Sequence, residues 1–167
     1  MRGHKIVSVE SLRDYDVMQP TVSNLGFKDP VHCTALGKII MAYRPVEEMR
    51  EMLIEQQPLK RYTVNTITDV DELVKELEKS RKNGYAVDNR ENMESLICLA
   101  VPIFDNKNEV IAAMSVAAIS QESIEEFIER VLNSSLHAAA GLSETMGCYN
   151  YITTLKQDVS GSLHDVI

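Results

Sequence analysis

The stretch LICLAVPIF, residues 96–104, constrains this chain more than any other. It carries no charge, and it falls well short of the ~18 residues that a membrane-spanning helix needs. The turn residues DNKN (105–108) follow it, and then EVIAAMSVAA (109–118), a run rich in small side chains. The pattern reads as a hairpin whose first strand is buried on both faces. A strand buried twice needs a covering layer on each side. The small residues of the second strand leave room for a packed helix or for a ligand.

The candidates for those layers lie on either side of the hairpin. In VHCTALGKIIMAY (31–43), Leu36, Ile39, Ile40 and Tyr43 share one helical face, and Thr34 is a plausible cap. Gly37 inside this helix costs up to ~1 kcal/mol relative to Ala, so it marks a close backbone approach. Pro45 opens a second helix with Met49, Met52 and Leu53 inward, and Pro58 ends it. Asp69 and Glu72 have capping spacing at the head of a third helix bearing Val70, Leu73, Val74 and Leu77. Gly84 stops that helix, and Lys79, Arg81 and Lys82 near its end complement its dipole. The Thr-rich LKRYTVNTITD before it reads as a connection. A last helix runs from Gln121 to Met146 with Ile124, Phe127, Ile128, Val131 and Leu132 inward, and Gly147 ends it. Strands are expected at 5–10 and, interrupted by Pro20, at 15–23. With a short strand between Gly84 and Asp88 ahead of the hairpin, the order is strand, strand, three helices, three strands, helix. The fold class is therefore α+β, an antiparallel or mixed sheet flanked by helices.

Composition excludes several functions. A net charge of −8 repels phosphate backbones, so these residues alone are a poor nucleic-acid binder. With no Trp and three Phe, the core leans on aliphatic residues and on eight Met. No stretch reads as a membrane span or a secretory signal. Three widely spaced cysteines, Cys33, Cys98 and Cys148, are no disulfide framework and fit a reducing cytosol. The four histidines form no short pair and there is no CxxC, so no metal site and no cofactor is expected.

Taken together, HCTALGKIIMAY (32–43), TVNTITDVDELVKELEKSRKNGYAVDNRE (63–91), LICLAVPIFDNKNEVIAAMSVAA (96–118) and AAAGLSETMG (138–147) resemble the effector-binding domain of the IclR family of bacterial transcriptional regulators. The resemblance covers roughly Val7 to Gly147. It implies a GAF-like (profilin-like) fold that binds a small organic acid. It also implies a homodimer or tetramer acting in the cytoplasm, and DNA contact only through a winged helix-turn-helix that this chain does not contain. The domain is expected over residues 1–147, shortened at its N-terminus, with 148–167 as a tail that is ordered only if something holds it. A missing strand leaves a sheet edge open to another copy.

By the same resemblance, the effector pocket is lined by Ala35 and Leu36 at the start of the first helix, by Asp88, by Cys98 and by Ser115. Helix N-termini favour anions, which suits Ala35 and Leu36 to an acid. Ala117 replaces a second pocket serine of many members, and Ser95 stands where a glycine is usual. Each residue also has a plainer reading: Cys98 as inert core, Asp88 as a cap, Ser115 as a sheet residue, Glu91 as a surface or hairpin residue. Two other functions compete. A structural oligomerisation module that has lost its effector would explain Ala117 and Ser95. A cysteine-dependent enzyme would need a base such as His32 beside Cys98, and a strand-centre thiol lacks the electropositive setting that makes a thiolate. No catalytic residue is therefore assigned.

Overall fold

A computed structural model of the chain describes residues 6–10 and 28–157. In chain order these form β1 (Ile6–Val7), β2 (Lys28–Asp29), α1 (Ala35–Ala42), α2 (Val46–Glu55), α3 (Val70–Asn83), β3 (Ala86–Asn89), β4 (Leu96–Phe104), β5 (Val110–Ile119), α4 (Ile124–Thr145) and α5 (Tyr151–Gln157). β3, β4 and β5 make an antiparallel sheet with β4 in the middle, and β1 pairs with β2. The α+β class expected from the sequence is the one observed. Of the first strand expected at 5–10, the described residues 6–10 are in strand only at Ile6–Val7. The expected strand at 15–23 lies outside the described residues.

The apolar hairpin behaves as its sequence requires. All nine residues of β4 are buried. Because strand side chains alternate, its neighbours divide between two layers. Ile97, Leu99 and Val101 face Phe127, Val131 and Ala139 of α4. Leu96, Cys98 and Ala100 face Ala35 and Ile39 of α1. A register shift between Ile103 and Phe104 turns Phe104 toward the α4 side, where it meets Tyr151 edge-on with ring centroids 5.6 Å apart. Each fully buried aliphatic side chain contributes about 1.5–3 kcal/mol.

Local signals place the helices. Thr34 caps α1 by accepting from Gly37 N at 3.2 Å. A Cβ on Gly37 would lie 2.2 Å from Val31 O, so only glycine lets the preceding loop fold back onto α1. Asp69 caps α3 through Glu72 N, and Gly84 closes α3 with φ 75, in the left-handed region. Ser123 and Glu126 form a reciprocal capping box on α4. α2 and α3 build a second cluster around Met49, Leu53, Leu73 and Leu77, against the far side of α1.

The region after Gly147 is held, in part, by the sheet. Residues 151–157 form α5, with Tyr151, Thr154 and Leu155 buried and the Tyr151 hydroxyl donating to Pro102 O at 3.0 Å. Where the sequence reads as a tail, a short helix therefore closes one end of the α4-side core.

Candidate functional site

The α1 face of the sheet gathers the residues singled out in the sequence. Asp88 on β3 stands opposite Cys98 on β4, and Cys98 stands opposite Ala117 on β5. Ser115 pairs with Ala100, which puts it one residue pair along the same face. Ala35 and Leu36 open α1, which lies over this face. Ala35, Asp88 and Cys98 are buried, Leu36 is half-buried, and Ser115 and Ala117 are exposed. α1 thus packs over all three strands of the shelf, and the part that stays exposed is at Ser115 and Ala117 of β5. Its side chains at Cys98, Ala100, Ala113, Ser115 and Ala117 are small.

Asp88 is the centre of its electrostatics. The side chain is 1% exposed. Oδ1 accepts from Glu91 N at 2.7 Å and from Asn92 N at 3.3 Å, closing the turn after β3. Oδ2 is buried and has no hydrogen-bond partner among the described residues. Burial raises its pKa from 3.8 to about 7, against the two backbone N–H bonds that lower it, with the neighbouring Glu91 charge adding to the rise. Near neutral pH this group can therefore donate a proton to a bound acid or accept from a hydroxyl.

Sequence reasoning missed the support beneath Asp88. Lys38 of α1 is 0% exposed. Its ammonium donates to Val87 O at 3.0 Å and pairs with Glu91, while Glu76 lies 3.9 Å away. Glu91, expected at the surface or in the hairpin, is buried. Burial raises its pKa, and Lys38 opposes that rise. The Thr-rich connection is also more than a link. Thr63 Oγ1 donates to Arg90 O at 2.7 Å, and Thr66 Oγ1 donates to Glu91 O at 2.6 Å. The turn 88–92 is therefore gripped from α1 and from the 61–68 loop. One signal was present in the sequence. α1 is apolar nearly all round, so a lysine at position 38 has no solvent face to occupy.

The enzyme reading has no support in this geometry. His32 donates Nε2–H to Lys60 O at 2.9 Å, and burial lowers its pKa. Cys98 sits mid-strand between Ile97 and Leu99, both fully buried. Among the described residues no cluster of His, Cys, Asp and Glu could hold a metal ion, and no helix is long and apolar enough to cross a membrane.

Comparison with known proteins agrees with this architecture. The family model for the C-terminal region of the bacterial transcriptional regulator IclR matches residues 1–144. The chain belongs to this IclR C-terminal family. It is 39% identical over 153 residues to the HTH-type transcriptional regulator KdgR of Dickeya chrysanthemi, covering 89% of this chain and 46% of that protein. The crystal structure of the Thermotoga maritima IclR aligns with a TM-score of 0.72 at 40% identity, over 79% of this chain and 53% of that one. The inducer-binding domain of PobR from Acinetobacter, a double mutant in complex with 3-hydroxybenzoic acid, aligns with a TM-score of 0.75 at 27% identity, over 86% and 83% of the two chains. The chain spans about half the length of the curated relatives it matches. Those IclR-family relatives are named as transcriptional regulators, not as enzymes.

Proposed function

We propose that this IclR-family chain is an effector sensor whose ligand is a small organic acid bound on the α1 face of the sheet. The acid's carboxylate lies at the start of α1, near Ala35 and Leu36, where first-turn N–H groups and the helix dipole favour negative charge. Its other polar groups meet Asp88, Cys98 and Ser115. The observation that carries this reading is the Asp88 Oδ2 atom, buried beside the helix that covers it and left without a hydrogen-bond partner. Such an oxygen costs about 1–3 kcal/mol unless something supplies a donor, and an effector is that something. The PobR domain, whose structure holds 3-hydroxybenzoic acid, supports an acid as the ligand class.

The coupling follows from linkage. An effector shifts an assembly only by the difference in its affinity for two arrangements of that assembly. In this reading the chain works as a homodimer or tetramer in the cytoplasm, and a separate winged helix-turn-helix contacts the operator. Among the described residues β3 and β5 are the edges of the sheet, and an open edge favours pairing with another copy.

A thermal-shift screen of pyruvate, glyoxylate, sugar acids and aromatic acids tests the proposal. A true effector at 100 times its Kd stabilises by about 2.7 kcal/mol, which raises Tm by roughly 5–10 °C for a chain of this size. Asp88→Asn and Ser115→Ala should each reduce that rise. If no acid moves Tm, the sensor reading fails and a purely structural oligomerisation module takes its place.

A further inference from the structure

Arg90 occupies the tip of the turn that Asp88 closes, and its backbone N–H, its carbonyl and both terminal guanidinium nitrogens are engaged. Its φ is 58, in the left-handed region that a side-chain-bearing residue rarely occupies. Its N–H donates to Leu96 O at 3.1 Å, and its carbonyl accepts from Thr63. The guanidinium reaches beyond the turn with one of its two terminal nitrogens. Nη1 donates to Asn89 Oδ1 at 3.0 Å, while Nη2 reaches Ser120 O at 3.0 Å and Glu122 O at 2.8 Å. Those two carbonyls belong to the junction between the end of β5 and the Ser123 cap of α4. Glu122 in turn accepts from Arg130 Nε at 3.3 Å, one step further into α4.

The local sequence offers easier solutions than this one. A turn that needs positive φ takes Gly or Asn at little cost. Arginine there is strained, and its planar fork spans Asn89 Oδ1 on Nη1 and the two carbonyls of the junction on Nη2. On the other side of the same turn, Glu91 N and Asn92 N donate to Asp88 Oδ1. Any change in what Asp88 holds alters the acceptor for both N–H groups, and Arg90 is one of the two residues between Asp88 and Glu91.

We propose that Arg90 is a positioning residue that ties the Asp88 turn to the start of α4, so that a change at the effector face is passed to the helix on the opposite side of the sheet. This rests on Asp88 belonging to the effector site. It commits to one route between two. The other is the β3–β4–β5 ladder, which runs from Asp88 through Cys98 to Ala117. Proximity alone does not establish coupling, so a direct test is required.

The test uses the 167-residue chain without any effector. Asp88→Asn keeps a side-chain oxygen for the two turn N–H groups while changing its charge. Backbone amide resonances are compared with and without this change, first in the native background and then with Arg90→Gly. Glycine accepts the positive φ and removes the whole side chain, guanidinium included. The expected result is that Asp88→Asn displaces the amides of residues 120–126 when Arg90 is present, and that this displacement is lost with Arg90→Gly while the amides of 88–92 still move. Arg90→Lys, which keeps the charge and loses the fork, is the second variant should glycine prevent folding; there the displacement at 120–126 should shrink. Two results overturn the proposal: no displacement at 120–126 in the native background, or the same displacement whichever residue stands at position 90. Because no ligand is used, a failure here leaves effector binding untouched, and a failed ligand screen leaves this coupling standing.

Discussion

β4 sends Ile97, Leu99 and Val101 to one side of the sheet and Cys98 and Ala100 to the other. The first side meets Phe127, Val131 and Tyr151, and its strand partners Val116 and Met114 add further bulk. The second side meets the short helix α1, and its partners are Asp88, Ser115 and Ala117. One face is filled; the other holds small side chains, a buried carboxyl with an unpartnered oxygen, and a buried lysine. The contrast shows where stability comes from and where it has been given up. A polar group kept in a dry place without a partner is destabilising, and it is retained where a ligand needs it.

Substitutions on the two faces should break along the same line. The largest loss is expected on the filled face: Phe127→Ala, at 0% exposure, should cost about 3–5 kcal/mol in urea denaturation. On the other face the largest loss comes from charge, not volume. Lys38→Met leaves Glu91 buried without its cation and should cost about 3–5 kcal/mol, whereas Lys38→Met with Glu91→Leu should recover most of it. If the single variant is as stable as the parent, the pair is not holding the turn.

Asp88→Asn should act in the opposite direction. The native state raises the Asp88 pKa to about 7 from 3.8, so folding takes up protons across that window. Stability from this group is complete below pH 3.8 and is lost as pH rises through about 7. The raised Glu91 acts in the same sense. Asparagine cannot ionise, so the variant should match the parent near pH 4 and exceed it by about 1–3 kcal/mol at pH 8. Urea melts of both chains at the two pH values check this, and a variant whose margin over the parent does not grow from pH 4 to pH 8 would contradict the assignment. Ser115→Ala, on the exposed part of the shelf, should change stability by no more than about 0.5 kcal/mol. A larger loss would mean that Ser115 is structural.

Much of the architecture could be read without coordinates, and the reason is periodicity. The β4–β5 hairpin, the faces of α2, α3 and α4, and the caps at Thr34, Asp69 and Gly84 are local signals, and local physics decides them. The juxtaposition of Asp88, Cys98 and Ala117 came from a resemblance and not from spacing, because pairing across strands depends on register. The support of the site was the least legible part. Lys38 with Glu91, Thr63 and Thr66 with the 88–92 turn, and Arg90 with Ser120 and Glu122 join residues far apart in sequence through polar atoms that leave no hydrophobic pattern. α5 was hidden for another reason: among its described side chains the buried ones are Tyr151, Thr154 and Leu155, too short a repeat to stand out from a polar tail.

The central claim is that one face of this sheet receives an acid and the other does not. Amide chemical-shift mapping tests it directly, with whichever of pyruvate, glyoxylate, a sugar acid or an aromatic acid gives the largest thermal shift. The account predicts the strongest displacements at Ala35, Leu36, Asp88, Cys98 and Ser115, weaker ones at residues 120–126, and little change at Val131 and Ala139. Displacements centred on α4 and α5, with residues 35, 36, 88 and 98 unmoved, would contradict it.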